Sequence, residues 1–346
     1  MGFYTFELDE AAQKLCVIST PFGLYQYLRL PMGLTNSPDV FQSVIHPLFQ
    51  DMVEVDVFID DIAIFTSGTI EHHFSVVSQV LHCLEESGFT VNPGECDWAV
   101  KSTDYLGFLI TTEGIKPLPK KIEATTRVAR PDSTTTVRSF VGLVNYYKDM
   151  WPRRAHIIAP LTNLCSSKTK FKWNEEHESA FQQMKRLVTE DVLLRFPNHS
   201  VPFEIFTDAS KVQIGATVKQ NKLPIAYFSK KLSPMQRRYS TIEQEMLAIV
   251  EVLKEYRIFL LGADITIYTD HKNLLATSTV NDRVFRWKQK IQEYNPIIKY
   301  IKGHKNQEAD ALSRLPMLTT TEGMETMLNH PPMDPYNPIL NANPLE

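Results

Sequence analysis

Four acidic side chains in the last part of this 346-residue sequence stand where a carboxylate is unfavourable unless something compensates it. Asp208 closes the run Ile205-Phe206-Thr207-Asp208, and Asp270 closes Ile267-Tyr268-Thr269-Asp270. Glu245 lies among Ile242, Met246, Ile249 and Leu253, a stripe with helical spacing. Asp310 sits in Gln307-Glu308-Ala309-Asp310-Ala311-Leu312, another helical pattern. A carboxylate at the end of an apolar strand loses hydration that nothing in the strand replaces. Divalent cations can replace it, and phosphodiester hydrolysis by two Mg²⁺ about 4 Å apart needs such a cluster of hard oxygen ligands. Singly, each acid reads better as a strand-end turn residue or an exposed helix charge. Together, in that order of elements, they read as a metal-binding set.

A second acidic pair, Asp60-Asp61, interrupts the apolar stretch from Val55 to Phe65. Two adjacent acids between strands also suit a plain hairpin turn. Glu243 competes with Glu245 for the helix role. Thr241 with Gln244 reads as a capping box, which would place Glu243 in the first turn, where the helix dipole favours an acid.

The elements that must position these residues follow from pattern. Residues 201–316 alternate as three strands (Phe203–Thr207, Ile214–Lys219, Ile225–Ser229), a helix from Thr241 to Leu260, and a strand Asp264–Thr269. A helix Arg283–Tyr294, a strand Ile297–Ile301 and a final helix Gln307–Leu315 complete an α/β pattern. Upstream, a helix is expected over Pro38–Met52, a strand pair Val53–Ile59 and Ile62–Thr66 around the acidic pair, and a helix Glu71–Ser87 stopped by Gly88. The division expected is 1–112, a helical and basic stretch 113–200, the α/β domain 201–316, and a disordered tail 317–346. From Lys116 to Arg195 there are 15 Lys and Arg against eight Asp and Glu, although the net charge of the chain is −4. Such a stretch suits a polynucleotide track between two metal sites, or simply a solvated surface.

The runs FTDAS, AYFSKKL, YSTIEQEMLAIV, TDHKNL and EADALSRL between Phe203 and Pro316 resemble the ribonuclease H domain of gypsy-class LTR retrotransposons and retroviruses. The resemblance implies that Asp208, Glu245, Asp270 and Asp310 bind two Mg²⁺ ions, and it selects Glu245 over Glu243. Upstream, Leu30-Pro31-Met32-Gly33 through Gln42, Asp60-Asp61, Gly88-Phe89-Thr90-Val91-Asn92-Pro93 and Tyr105-Leu106-Gly107-Phe108 resemble four consecutive motifs of a reverse transcriptase palm. That resemblance implies that Asp60 and Asp61 ligate polymerase metals and that Gly33 and Gln42 line the nucleotide and template site. It places Tyr105 and Gly107 in the primer grip, and makes Phe3 the aromatic that excludes a ribose 2′-OH. Val141-Gly142-Leu143-Val144-Asn145-Tyr146-Tyr147 resembles the thumb region.

The fold expected is therefore multidomain α/β and α+β. A truncated palm and helical thumb/connector would be followed by a ribonuclease H-like domain with a mixed five-stranded sheet. The family's first palm motif has an Asp four residues before the Gly matched by Gly2, so that Asp would fall just before Met1. The expectation is Mg²⁺-dependent cleavage of RNA in RNA–DNA hybrids, with the polymerase activity lost. The alternative is a catalytically idle nucleic-acid-binding remnant or supporting subunit. Partners implied are an RNA–DNA hybrid, a template-primer duplex, and another copy of the element's polymerase, in a cytoplasmic virus-like particle and in the nucleus.

Composition sets outer limits. Four cysteines without a C-x-x-C pair argue against a disulfide framework or zinc knuckle. No apolar run approaches the roughly 20 residues of a membrane helix, and MGFYTFELDE lacks the plan of a signal peptide. His72-His73 point about 100° apart on a helix and read as surface. His304 reads as an exposed loop residue, Asp9 as a strand-end acid, and Trp98, Trp151, Trp173 and Trp287 as packing residues.

Overall fold

The computed structural model describes residues 2–166, 170–271 and 282–301. Asp310, His304 and the final helix expected at Gln307–Leu315 lie outside them. The chain divides into two compact units, one of residues 1–124 with 191–193, the other of 125–190 with 194–346. Among the described residues no helix is long and apolar enough to cross a membrane.

The first unit opens with α1 (Glu10–Leu15) and the hairpin β1 (Val17–Thr20) and β2 (Gly23–Gln26). Asp9 is the N-cap of α1, its Oδ1 accepting the Ala12 N–H at 2.7 Å, rather than a strand-end acid. Helix α2 (Ser37–Phe49) buries Phe41, Ile45 and Phe49, spaced by four, against Val57 of β3 (Val55–Phe58). β3 pairs antiparallel with β4 (Asp61–Ile64). Helix α3 (Ile70–Glu86) adds Val80 and Leu84 to the same core.

α3 ends in a Schellman motif. The Phe89 N–H bonds Leu84 O at 2.8 Å and the Gly88 N–H bonds Glu85 O at 3.0 Å, with Gly88 at φ +75°. A meander follows: β5 (Ser102–Tyr105), β6 (Phe108–Thr111) and β7 (Gly114–Pro117). Leu106 and Gly107, both at positive φ, form its first two-residue turn, the combination that matches the twist of the flanking strands. Helix α4 (Pro119–Arg127) leads out of the unit. Trp98 is exposed, its indole N–H donating to Pro93 O at 3.3 Å, and so is not a core residue.

In the second unit, α5 (Thr134–Tyr146), α6 (Arg154–Ile157), α7 (Ala159–Leu164) and α8 (Glu175–Val188) gather around Phe140, Leu161, Phe181 and Met184. Then come β8 (Phe203–Ala209), β9 (Gln213–Gln220), β10 (Leu223–Lys231), α9 (Thr241–Glu255), α10 (Arg257–Leu260), β11 (Ile265–Thr269), α11 (Asp282–Gln292) and β12 (Ile297–Tyr300). The sheet order is β10-β9-β8-β11-β12, antiparallel from β10 to β8 and parallel from β8 to β12, so the expected mixed five-stranded sheet is present.

Alternate residues Phe203, Ile205 and Thr207 of β8 are buried, and α9 contributes Met246, Ile249 and Leu253 to the same core. The helical part joins the sheet through specific bonds. Ala155 N–H donates to Ser229 Oγ at 3.0 Å, and Tyr256 OH donates to Asp149 Oδ1 at 2.9 Å and Tyr227 O at 3.1 Å.

Two sequence expectations shift. The helix expected over Thr241–Leu260 is two helices, because Tyr256 leaves helical geometry at φ −103°, ψ 28° while its hydroxyl reaches Asp149. The capping box uses Ser240 and Glu243 rather than Thr241 and Gln244. Ser240 Oγ accepts the Glu243 N–H at 3.3 Å, and Glu243 Oε2 accepts the Ser240 N–H at 2.9 Å. Gln244 is instead buried and donates to Gln236 O at 3.2 Å.

Candidate metal centre and the acidic hairpin

Asp208 and Asp270 come together through strand register. β8 and β11 run parallel with Phe206 opposite Tyr268, and each acid stands two residues further on. Side chains two apart share a face, so both carboxylates emerge on one face at neighbouring carboxyl ends. Ligands of open α/β sheets bind outside the carboxyl ends of strands, where the direction of connection changes. Thr207, wholly buried between the two acids' strands, donates from Oγ1 to Tyr268 O at 3.4 Å.

Glu245 enters from α9, one turn past the Ser240 cap. It is 2% exposed and Asp208 is 8% exposed. Burial pushes the Glu245 carboxyl up to about 9, with the Asp208 and Asp270 charges adding to the rise and the Ala209 backbone N–H opposing it. Glu245 Oε2 and Asp270 Oδ1 are both buried with no hydrogen-bond partner among the described residues. Orphaned carboxylate oxygens in such a place fit a hard cation.

His271 belongs to this group. Glu245, Asp270 and His271 each offer a ligand atom, and the three atoms lie within 4.8 Å of one another. The His271 backbone N–H donates to Thr269 Oγ1 at 3.2 Å, closing a short turn just after Asp270. Sequence reading does not select His271. Its one signal is its place next to Asp270 in Thr269-Asp270-His271-Lys272. Glu243, the competitor of Glu245, has both oxygens engaged: Oε2 with Ser240 and Oε1 with Arg283 at 3.2 Å. Asp310 lies outside the described residues.

In the first unit, Asp60 stands in the two-residue turn between β3 and β4 and Asp61 opens β4, paired with Phe58, so the acidic pair straddles the end of the turn rather than joining the strands as the sequence suggests. Ile59, immediately before, is held at φ +53°, a left-handed conformation that disfavours a β-branched residue. Gln42 fixes this turn. Its Nε2 donates to Val57 O at 2.9 Å and its Oε1 accepts the Ile59 N–H at 2.7 Å. Its side-chain amide therefore serves the backbone that presents the acids.

Tyr105 OH donates to Asp56 Oδ2 at 3.1 Å, and burial, then the Asp56 and Asp61 charges, raise its hydroxyl well above the usual range. Phe3 packs on Phe41, ring centroids 5.2 Å apart. A Cβ on Gly2 would come 2.5 Å from Phe41 Cε2 and 3.6 Å from Asp60 Oδ1, so the chain there lies close to the acidic turn. Gly33 stands in the loop before α2 at φ +93°, where a Cβ would meet no atom within 4 Å. Asp60, Asp61, Gln42 and Gly2 thus share one locality, and Tyr105 is tied to the same hairpin through Asp56.

Residues 1–110 match the family model described as reverse transcriptase (RNA-dependent DNA polymerase). Residues 198–294 match that of the RNase H-like domain found in reverse transcriptase. The retrovirus-related Pol polyprotein from transposon 297 of Drosophila melanogaster is 34% identical over 320 residues, covering 91% of this chain and 30% of that protein. Those from transposons opus and gypsy of the same organism are 35% and 32% identical, covering 91% and 96% of this chain and 33% of each polyprotein. The chain therefore spans about a third of the length of these curated relatives.

Among solved structures, a foamy viral protease-reverse transcriptase in complex with RNA/DNA hybrid is similar at TM-score 0.74 and 20% identity, over 100% of this chain and 45% of that one. Another in complex with dsDNA gives TM-score 0.76 and 21% identity, over 87% of this chain and 66% of that one. At that identity the likeness is one of fold.

Proposed function

The chain carries the reverse transcriptase and RNase H-like domains of a retrotransposon Pol polyprotein, and on that footing we propose that its second unit cleaves the RNA strand of RNA–DNA hybrids in a Mg²⁺-dependent reaction. The observation that carries this reading is the gathering of Asp208, Glu245 and Asp270 at the sheet's carboxyl edge, with orphaned oxygens on Glu245 and Asp270.

In this reading Asp208, Glu245 and Asp270 hold the divalent ions, and Asp310 is the fourth ligand. Bound there, the ions supply Lewis acidity at the scissile phosphate and lower the pKa of the attacking water. The chain's own contribution is positional. Parallel pairing fixes the separation of Asp208 and Asp270, and α9 inserts Glu245 from the buried side, away from water. Burial holds the Glu245 carboxyl up at about 9, so an ion held there would have to displace its proton to solvent.

The first unit is read as the polymerase part. Asp60 and Asp61 are metal ligands, Gln42 holds their turn, Tyr105 and Gly107 border the primer, and Gly33 and Phe3 border the nucleotide. The partners proposed are an RNA–DNA hybrid and a template-primer duplex, held through phosphates by the basic residues between Lys116 and Arg195. Binding should therefore weaken steeply with salt and discriminate little between sequences.

The test is cleavage of a labelled RNA strand in a hybrid, in Mg²⁺ and in EDTA, with the Asp208→Asn protein alongside. Cutting that needs both metal and Asp208, with hybrid affinity kept within about threefold in the variant, supports the reading. A folded, hybrid-binding protein that never cuts refutes it, and leaves a nucleic-acid-binding role.

A further inference from the structure

Three basic side chains of the second unit gather around the end of α7 with no acid among their partners. Lys231 ends β10, and its Nζ donates to Asn163 Oδ1 of α7 at 2.6 Å. Two residues on, Cys165 O accepts from Arg138 of α5, from Nε at 3.1 Å and from Nη2 at 2.7 Å. Arg237 Nε donates at 3.2 Å to the carbonyl oxygen of Leu232, the residue after Lys231. All of these acceptors are neutral oxygens, and none of the three cations joins an ion pair among the described residues. A guanidinium carries five N–H groups, so the exposed Arg138 and Arg237 keep donors for a ligand. Burial, and then the Arg237 charge, hold the Lys231 ammonium below its usual range. Like charges fixed in this way repel one another, and a bound anion relieves that repulsion.

Strand register says where the anion would lie. Lys231 pairs with Gln213, Ser229 with Gly215, and Gly215 with Asp208. Residues directly opposite share a face, as do residues two apart along a strand, so Lys231 and Asp208 stand on one face. β8 and β10 both run antiparallel to β9, so both end at the same edge of the sheet. Two strand spacings separate them, roughly 10 Å. That is about three nucleotide steps of 3.4 Å along one strand of a duplex.

We propose that Arg138, Lys231 and Arg237 form a phosphate anchor that holds the backbone of the RNA–DNA hybrid about three nucleotides from the bond cut, and so sets where the cut falls. This rests on the hybrid-cleaving reading and adds to it a site outside the acidic cluster. The anchor touches no base, so it fixes register without reading sequence. Asn163 and Cys165 O orient two of its cations, which makes α7 part of the substrate site.

The experiment uses the full 346-residue chain. Hybrid affinity is measured in EDTA over a range of salt, a readout that needs no cutting. The slope of log affinity against log salt should become shallower by about 1 in each of Lys231→Met, Arg138→Gln and Arg237→Gln. Lys231→Met keeps the apolar stem, and circular dichroism checks that each variant is folded. Separately, end-labelled hybrids carrying one neutral methylphosphonate are cut in Mg²⁺. In the wild-type protein cutting should fall by about 3-fold or more at the bond a fixed offset of about three nucleotides from the neutral phosphate, and that notch should vanish in Lys231→Met.

Salt slopes equal to wild type in all three variants, or a notch at that offset unchanged in Lys231→Met, overturn the proposal and leave the proposed function standing. A chain that never cuts but shows the shallower slopes loses the proposed function and keeps the phosphate site. If the folded chain does not bind the hybrid, both fall.

Discussion

The rings of Phe206 and Tyr268 stack across the β8–β11 pairing, centroids 4.7 Å apart and planes 10° from parallel, two residues ahead of Asp208 and Asp270. Lys219 lies 5.6 Å from the Phe206 ring centre and Lys299 lies 5.9 Å from that of Tyr268, which extends the row over four strands. A stacked pair directly opposite in a sheet pins register, and a one-residue slip would turn an acid to the other face. Tyr268→Leu keeps an apolar group but removes the stack. It should cost about 1 kcal/mol beyond the lost area, lower the melting temperature by a few degrees, and shrink the stabilisation that added Mn²⁺ gives. An ion-induced rise in melting temperature as large in the variant as in wild type would show that the stack does not hold the acids in line.

Glu245 gives a pH-dependent prediction whose sign can be worked out. Its folded carboxyl is pushed from 4.5 up to about 9, so between those values the folded, metal-free protein holds a proton that the unfolded chain releases. Stability in EDTA should therefore fall as pH rises from about 5 toward 9. Glu245→Gln removes the ionisation. The variant should melt several degrees higher than wild type near pH 8 in EDTA, at roughly 2–4 °C per kcal/mol, with a flatter pH profile. Melting curves at pH 5, 7 and 9 check it, and a wild-type curve independent of pH contradicts it.

Gln42 should matter through the backbone it holds. Gln42→Leu leaves Val57 O and the Ile59 N–H without their partners, at about 1–3 kcal/mol for each buried group. The Ile59 amide should then exchange with solvent about 10-fold faster or more, the factor corresponding to roughly 1.4 kcal/mol of local opening. Amides of α9, in the other unit, should keep their protection.

Tyr256→Phe tests the join between the helices and the sheet. The ring contacts with Phe228 and Phe259 remain possible, but Asp149 loses the hydroxyl that donates to it at 2.9 Å. Burial already raises the Asp149 carboxyl, so losing that donor should destabilise the second unit by about 1.5–3 kcal/mol in urea titration. Pairing the change with Asp149→Asn should recover part of the loss. Strict additivity in that double-mutant cycle would argue that the two groups do not interact.

Much of the architecture is legible in the sequence because its signals are local. Alternation marks Phe203–Ala209 and Gln213–Gln220, the spacing of Phe41, Ile45 and Phe49 marks α2, and Gly88 marks the end of α3. The acids stand out because they follow apolar strands. What pattern cannot show is set by distant partners. α9 stops at Tyr256, whose hydroxyl is bound to Asp149 more than a hundred residues away. The cap falls on Ser240 rather than Thr241, with Gln244 bound instead to Gln236 O, and sequence offers both adjacent residues as caps. The amide of Gln42 serves backbone atoms that no residue pattern identifies. His271 escapes notice because a lone histidine is usually a surface residue, and only the fold brings it beside Glu245.

The parallel pairing of β8 with β11 also sets a time order. The β8, β9 and β10 strands are joined by short antiparallel turns and can form early, but β11 reaches β8 only after α9 has crossed the sheet. Asp270 and His271 arrive with β11. On a ribosome, therefore, a nascent chain ending before residue 270 has two of the described acids and no site. Ion uptake becomes an all-or-none report that the longest-range pairing of the domain has closed.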